Sequence, residues 1–209
     1  DYNKLAANIL ISNLHKSTEE DYGLVIDKLY NKEVQLISQD VYNFAKDNIT
    51  EINKMFDYSK DYNYDFFGFQ TLERAYLIRV GGVIIERPQH MLIRVAIGHY
   101  CKYTDSLKNI EKMYNNMADG YYTPATPTLY NCGTRSPQCS SCFVLSTEDS
   151  IDGIFKTIAD CAKISKLAGG IGLDISNVRA EGSLIRGTNG TSNGIIPMAQ
   201  VYNNVARYI

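Results

Sequence analysis

Residues Tyr121 to Met198 read YYTPATPTLYNCGTRSPQCSSCFVLSTEDSIDGIFKTIADCAKISKLAGGIGLDISNVRAEGSLIRGTNGTSNGIIPM. This stretch combines small hydroxyl residues, paired cysteines, a capped helix and glycine-rich turns. Glycine-rich turns let backbone N–H groups approach phosphate oxygens, and a helix N-terminus adds a favourable dipole. A cysteine between two such features is a candidate redox or nucleophilic thiol. The stretch therefore predicts a nucleotide site with thiol chemistry.

Two short apolar runs in this stretch, at residues 142–145 and 171–175, predict β-strands. The residues between them, 151–167, predict a helix. A strand, a helix and a second strand form the unit from which parallel sheets and barrels are built. Because two strands do not make a stable sheet, most of this second domain is expected to follow Ile209.

The predicted helix has a signal at each end. Ser150 is a good N-cap, and Asp149 places negative charge at the positive end of the helix dipole. Gly169 is expected to adopt the positive φ of a helix C-terminus. A wide apolar stripe suits burial against the sheet and against another subunit, although a helix that only covers a sheet shows the same pattern. The stripe comprises Ile151, Ile154, Ile158, Cys161 and Ser165, widened by Phe155 and Ala162.

Upstream of this stretch, from residue 1 to about 120, the periodicity of apolar residues predicts helices only. Ser17 and Glu20 have the spacing of a capping box, and Gly81-Gly82 is expected to be a turn between two helices. Pro88 fits the first turn of the clearest helix, which has Met91, Leu92, Val95, Ala96 and His99 on one face. The other predicted helices cover residues 4–16, 18–30, 39–47, 69–77 and 105–119.

The composition is that of a globular protein, with 44% hydrophobic and 21% charged residues in 209. A net charge of −2 argues against a nucleic-acid-binding module. Since neither a membrane-spanning run nor a signal-peptide pattern is present, we expect a cytoplasmic location and no membrane partner. The five cysteines are then expected to be reduced thiols. The sequence opens within a helical pattern and closes on a helix or strand that has no termination signal, so we expect the chain to be a piece of a longer protein.

Several motifs, in order, resemble those of the large catalytic subunit of class I ribonucleotide reductase. They are YDFFGFQTLERAYL, ERPQHMLIRVA, TPATPTLYN, QCSSCF, DSIDGI, AGGIG, RAEGSLIRGTNG and VYNNVARY, and the resemblance covers essentially the whole chain. It implies an all-helical N-terminal domain followed by the first strands and helices of a ten-stranded α/β barrel. Residues 1–17 would be the last helix of an ATP-binding cone, 18–123 the helical domain, and 124–209 the start of the catalytic barrel.

The resemblance also implies roles for residues of the catalytic site. Cys142 matches the cysteine that reduces the ribose 2′ position and is oxidised to a disulfide with a cysteine that this chain lacks. Thr126, Ser141 and Gly170 match positions that hold the substrate through neutral hydrogen bonds.

A second set of residues matches an allosteric site that binds a deoxynucleoside triphosphate at a dimer interface. Asp149, Ser150 and Ile151 correspond to the helix start around the effector's sugar and base. Lys166, Arg179, Arg186 and Gly187 correspond to positions around its phosphates, where cations are the expected partners.

The implied partners are those of the whole enzyme. The radical would come from a metal-containing small subunit, and no cofactor or metal would be bound directly by this chain. Thioredoxin or glutaredoxin would supply electrons, ribonucleoside diphosphates would be substrates, dNTP or ATP would be effectors, and the chain would form a homodimer. The fragment alone should not turn over substrate, because the radical-bearing cysteine and the radical-relaying tyrosines are missing.

Other interpretations stay open at this point. Cys139 replaces a residue that is usually aliphatic, and could pack as a small hydrophobe or form an off-pathway disulfide with Cys142. A zinc site and a thioredoxin-like module are alternatives with poor cysteine spacing. A further alternative is a non-catalytic nucleotide-binding or dimerisation fragment, or one half of a split gene. His90 and His99 are expected to be packing residues, and the sixteen tyrosines to be surface and core residues.

Overall fold

The computed structural model describes residues 2–31, 33 and 35–209. Asp1, Lys32 and Val34, which fall in the first and second expected domains, lie outside the described residues. The chain divides into two compact units, the first ending at Cys139 and the second beginning at Ser140. This boundary lies later in the sequence than the expected one at 123/124. The reason is that a short helix at residues 126–131 packs into the first unit through Leu129.

The first unit is mainly helical. A 3₁₀ turn at Tyr58–Asn63, a π-helical turn at Leu72–Tyr76 and a short antiparallel hairpin interrupt the helices. Its helices are α1 (Tyr2–Ser17), α2 (Tyr22–Leu29), α3 (Gln39–Asp47), α4 (Ile49–Met55), α5 (Phe66–Thr71), α6 (Pro88–Tyr100), α7 (Ser106–Ala118) and α8 (Thr126–Asn131), and its strands are β1 (Arg79–Val80) and β2 (Val83–Ile84).

Helix α6 forms the centre of the first unit, and Pro88 occupies its first turn as the sequence predicts. Every residue from Pro88 to Ile97 is buried, so the helix packs on all sides rather than along one face. His99, predicted on the buried face, is exposed instead. Arg94 is fully buried and forms an ion pair with Glu86, with Nε and Oε1 2.6 Å apart.

The start of the second helix differs from the prediction. Helix α2 begins at Tyr22, and its N-cap is Asp21, whose carboxylate accepts a hydrogen bond from Leu24 N at 3.1 Å. Ser17 belongs to the end of α1, where its hydroxyl donates to Leu14 O. The capping-box interpretation of Ser17 and Glu20 was wrong because an aspartate closer to the apolar run takes the same role.

The prediction that the first unit contains only helices was also wrong. Gly81 and Gly82 connect β1 to β2, with φ of 58° and 83°. Two consecutive positive φ values are typical of the tight turn of a β-hairpin, and glycine adopts them without strain. The helix predicted over 69–77 is instead α5 followed by the π-helical turn.

The second unit contains the predicted strand–helix–strand arrangement. Strand β3 (Cys142–Ser146) and strand β4 (Gly170–Asp174) pair in parallel, and helix α9 (Ile151–Ser165) connects them. Helix α10 (Ile195–Tyr208) follows a glycine-rich loop, and the Tyr202 hydroxyl donates to Ile154 O at 3.0 Å. A mainly helical unit followed by a parallel strand–helix–strand segment is therefore confirmed.

The end of α9 corrects one detail. Ala168, not Gly169, takes the left-handed conformation, with φ of 63°. Glycine is needed at 169 for space, because an added Cβ would lie 2.6 Å from the Ile164 side chain and 2.8 Å from the Phe143 ring. Among the described residues, no helix is long and apolar enough to span a membrane.

Candidate functional sites

Three of the predicted catalytic and substrate residues lie together at the amino ends of β3 and β4. Cys142, the first residue of β3, pairs in register with Gly170, the first residue of β4. Gly170 N donates to Ser141 O at 2.7 Å, and the Ser141 hydroxyl lies 3.6 Å from Cys142 Sγ. The Cys142 thiol is exposed, so another thiol or a substrate can reach it.

Glycine at 170 permits this close approach of the two strand starts. An added Cβ would lie 3.3 Å from the carbonyl oxygen of Ser141, a tight contact that would require a small backbone shift. The sequence therefore places a small residue, a hydroxyl and a thiol within one short segment of parallel sheet.

Thr126, the fourth predicted residue of this set, belongs to the first unit. It is the first residue of α8, and its hydroxyl lies 2.9 Å from the Tyr76 hydroxyl. Tyr76 in turn stacks on Tyr130, with ring centroids 4.9 Å apart. Contacts within the first unit thus fix the position of this hydroxyl.

A cavity of about 320 Å³ opens at the N-terminus of α9. One side is formed by the start of the helix, and the other sides by the glycine-rich loop and the first turn of α10. The lining residues are Asp149, Ser150, Ile151, Ile154, Val178, Arg179, Ile185, Ser192, Gly194 and Met198. The lining combines a helix N-terminus and a guanidinium with an apolar floor, which suits a ligand that carries both an anionic and an apolar part.

The charged side chains that line this cavity, Arg179 and Asp149, form an ion pair with each other. Arg179 Nε donates to Asp149 Oδ2 at 2.7 Å, and its terminal nitrogens donate to Asp149 O at 3.5 Å and Leu184 O at 3.2 Å. Both side chains are about one-third exposed. A ligand phosphate can therefore reach the guanidinium from solvent, in competition with the carboxylate.

The other two residues of the helix start have different surroundings. The Ser150 hydroxyl accepts a hydrogen bond from Gly153 N at 3.0 Å, as expected of the N-cap. Ile151 is 71% exposed although it lines the cavity. Its apolar surface is therefore available to a bound base or to a partner surface.

The loop between β4 and α10 folds back on itself. Gly182 N donates to Ser192 O at 2.9 Å, and Ile185 N donates to Gly190 O at 3.0 Å. Arg186 and Gly187 lie exposed at the tip of this loop, next to the cavity residue Ile185 but not in its lining. The structure thus does not bring these two residues into contact with the cavity.

Lys166 is also separate from the cavity. It follows the last residue of α9, whereas Ser150 precedes the first, so the two lie about 24 Å apart along the helix axis. A lysine side chain cannot bridge that distance within one chain.

Several cavity residues were not predicted from the sequence. Ser192 and Gly194 belong to the run GTNGTSNG, which by itself is weak evidence for phosphate binding. Met198 lines the cavity because it faces α9 from α10. Met198 lies four residues before Tyr202, which contacts α9, and this spacing could have indicated that both residues lie on the face of α10 that packs on α9.

Among the described residues, no group of three or more His, Cys, Asp or Glu side chains has a metal-binding arrangement. All five cysteines are free thiols. The predicted packing role of His90 agrees with its environment, because burial lowers its pKa to about 3 and the imidazole is therefore neutral.

Comparisons with known proteins match two segments of the chain to family models. Residues 62–137 match the family described as "Ribonucleotide reductase, all-alpha domain", and residues 140–209 match "Ribonucleotide reductase, barrel domain". The chain is 52% identical over 216 residues to the ribonucleoside-diphosphate reductase large chain of Cryptosporidium parvum. It is 48% identical over 217 residues to large chain 2 of Saccharomyces cerevisiae, and 46% identical over 217 residues to the large subunit of Arabidopsis thaliana.

The matches of the helical unit to the all-alpha domain and of the second unit to the barrel domain define the class of protein, a ribonucleotide reductase. The alignments cover 100% of this chain but only 25–26% of each of these relatives. The chain therefore spans about a quarter of the length of the curated relatives it matches. It belongs to the ribonucleotide reductase large-subunit family.

Proposed function

We propose that the protein containing this chain is the large subunit of a ribonucleoside-diphosphate reductase, which reduces ribonucleotides to deoxyribonucleotides. The observation that carries the proposal is the cluster of Ser141, Cys142 and Gly170 at the start of the family's barrel domain. The complete barrel would have ten strands, and the location would be cytoplasmic.

In this proposal Cys142 supplies electrons to the ribose. The 2′ carbon is reduced as its hydroxyl leaves as water, and Cys142 and a second thiol are oxidised to a disulfide. That second thiol belongs to the part of the protein outside this chain. Thioredoxin or glutaredoxin then returns two electrons to the disulfide and regenerates the thiols.

The substrate would be held by neutral groups. The hydroxyls of Thr126 and Ser141 and the backbone of Gly170 offer hydrogen bonds to ribose and phosphate oxygens without additional charge. The exposed position of Cys142 supports this role because both substrate and reductant must reach the thiol.

The cavity at the start of α9 would bind a deoxynucleoside triphosphate that selects the substrate. Arg179 would contact phosphate, while Asp149, whose negative charge repels phosphate, would face the sugar. Ile151 would contact the base, and Ser150 would keep the helix N-terminus ordered. ATP is a further effector expected for the whole protein.

Lys166 joins this site only if a second copy of the chain is present. In a twofold dimer with the two α9 helices antiparallel, each Lys166 would approach the Asp149 end of the other helix. Phe155, which is 58% exposed on α9, would then be covered. The homodimer thus accounts for the exposed apolar face and for the distant lysine together. Arg186 and Gly187 would contact phosphate after the loop tip closes over the ligand.

The radical that starts the reaction would come from a metal-containing small subunit, and the 209 residues alone would be inactive. The test is an assay of deoxyribonucleoside diphosphate formation by the intact protein, with and without the small subunit and a thiol reductant. We expect product only when both are present. Nucleotide binding without any product would favour a non-catalytic binding fragment or a split-gene half.

A further inference from the structure

A pair of thiols, Cys132 and Cys139, lies in the first unit. A cavity of about 490 Å³ is lined by Cys132, Cys139 and Cys101, together with His99. Cys132 is buried at the end of α8, whereas Cys139 is half-buried. The cavity leaves room for a small oxidant to approach the more exposed thiol.

Backbone and side-chain hydrogen bonds hold the two cysteines next to the same helix. The Thr128 hydroxyl donates to Cys139 O at 3.1 Å, and Cys132 N donates to Thr128 O at 3.0 Å. The Asn131 side chain donates to Gln138 O at 2.9 Å. The segment before Cys139 is therefore fixed alongside α8 rather than left free.

Cys132 and Cys139 both form hydrogen bonds with Thr128 and both line the same cavity, which makes them neighbours. The pKa of Cys132 is raised, first by burial and then by the charge of Cys139 and a side-chain hydrogen bond with it. Cys132 Sγ lies 3.0 Å from His99 Nδ1, and His99 is exposed to solvent. Val95 O lies 3.0 Å from the same Nδ1 and 3.4 Å from Cys132 Sγ. In the tautomer that carries its proton on Nε2, Nδ1 is free to accept the thiol proton.

We propose that Cys132 and Cys139 form a reversible disulfide when a peroxide reaches this cavity. The peroxide oxidises the Cys139 thiol to a sulfenic acid and releases one water as its O–O bond breaks. Cys132 then attacks the Cys139 sulfur and gives its proton to His99, which passes that proton to the departing sulfenic hydroxyl, so that a second water leaves. Two thiols lose two electrons in total, and the peroxide gains them.

Two other pairings are less favoured by the structure. Cys139 and Cys142 are close in sequence, but the hydrogen bond from Thr128 fixes Cys139 beside α8. Cys101 lines the same cavity, but burial raises its pKa first, followed by the charge of Asp40, with Lys102 opposing. Its charged neighbours are therefore Asp40 and Lys102 rather than the other two thiols. This inference does not depend on the proposed reductase activity.

Tryptic mapping of the peroxide-treated, alkylated intact protein tests the proposal. Arg135 lies between the two cysteines, so trypsin places Cys132 in peptide 113–135 and Cys139 in peptide 136–156. We expect a disulfide-linked pair of these peptides that dithiothreitol separates. Unlinked peptides after peroxide treatment would overturn the proposal, as would a disulfide inside peptide 136–156 or a link to peptide 95–102, which contains Cys101.

Single substitutions identify the linked sulfur, because peptide 136–156 also contains Cys142. Cys139→Ser is expected to abolish the linked pair, whereas Cys142→Ser and the cavity control Cys101→Ser should retain it. Loss of the link in Cys142→Ser with retention in Cys139→Ser would overturn the assignment. His99→Ala is expected to slow formation of the link by about tenfold or more, and an unchanged rate would exclude the imidazole as proton acceptor.

Discussion

The guanidinium of Arg179 lies 2.7 Å from the carboxylate of Asp149 and joins the residue before the α9 N-cap to the segment after β4. This ion pair holds one side of the cavity that we propose for the effector. A triphosphate would replace or share the carboxylate as the partner of the guanidinium, which makes Arg179 the residue to test.

Arg179→Ala is expected to weaken binding of a deoxynucleoside triphosphate by about tenfold or more, because a charge-assisted contact to phosphate is lost. Equilibrium binding to the intact protein measures the effect. Arg207→Ala is a matched control, since Arg207 is exposed on α10 and outside the cavity lining. Equal affinities of the wild type and Arg179→Ala would refute the phosphate role.

The ion pair between Arg94 and Glu86 is expected to matter for stability rather than binding. Arg94→Met leaves the buried Glu86 carboxylate without its counter-ion and removes hydrogen bonds to the carbonyls of Leu129 and Cys132. The expected loss is about 3–5 kcal/mol in the free energy of unfolding. Urea denaturation measures it.

Lys16→Met is the control for Arg94→Met, because Lys16 is exposed at the end of α1. Its effect should stay within about 0.5 kcal/mol. A double variant, Arg94→Met with Glu86→Gln, should lose less stability than the sum of the two single variants. An additive result would show that the two side chains do not stabilise each other.

The stability of the first unit should fall in mild acid because of His90. Arg87 N donates to its Nδ1, and Nε2 lies 2.8 Å from the Tyr58 hydroxyl, which itself donates to Glu20 O. This network fits the neutral imidazole, and burial lowers the pKa in the folded state to about 3 from the ordinary histidine value of 6.5.

The unfolded state therefore binds more protons than the folded state between these two pKa values, and stability rises with pH there. The stabilising effect of neutral His90 is fully present above pH 6.5 and is lost as the pH falls toward 3. His90 contributes a slope of up to about 1.4 kcal/mol per pH unit. Urea denaturation at several pH values should show a smaller slope for His90→Gln, and identical slopes would contradict this account.

The sequence was sufficient to predict the strand–helix–strand segment. The apolar runs of β3 and β4 are short and flanked by turn residues, and Ser150 is a local N-cap signal. Such features depend on neighbouring residues, which explains why their positions agree with the structure to within about two residues.

The features that the sequence did not predict depend on longer-range contacts or on competing local signals. Asp21 caps α2 because it lies nearer to the apolar run than Ser17, which has a similar capping preference. Each strand of the hairpin at Gly81-Gly82 has only two residues. That length is too short to show the alternation of apolar and polar residues that predicts a strand. Arg179 pairs with Asp149 across thirty residues of chain, and no local pattern indicates that pairing.

The residue roles in the catalytic and effector sites remain predictions. The structure brings Ser141, Cys142 and Gly170 together, and likewise Asp149, Ser150, Ile151 and Arg179. It does not bring Lys166, Arg186 or Gly187 into the cavity at the start of α9. The proposed roles of these three residues in phosphate binding therefore depend most on the proposed dimer and on closure of the loop.

The most direct test of the central claim is multiple-turnover reduction of a ribonucleoside diphosphate by the intact protein carrying Cys142→Ser. The assay includes the small subunit and a thiol reductant. We expect turnover to be abolished while effector binding is unchanged, with Cys101→Ser as a control that retains both. Sustained turnover by Cys142→Ser would contradict the assignment of Cys142 as the reductant.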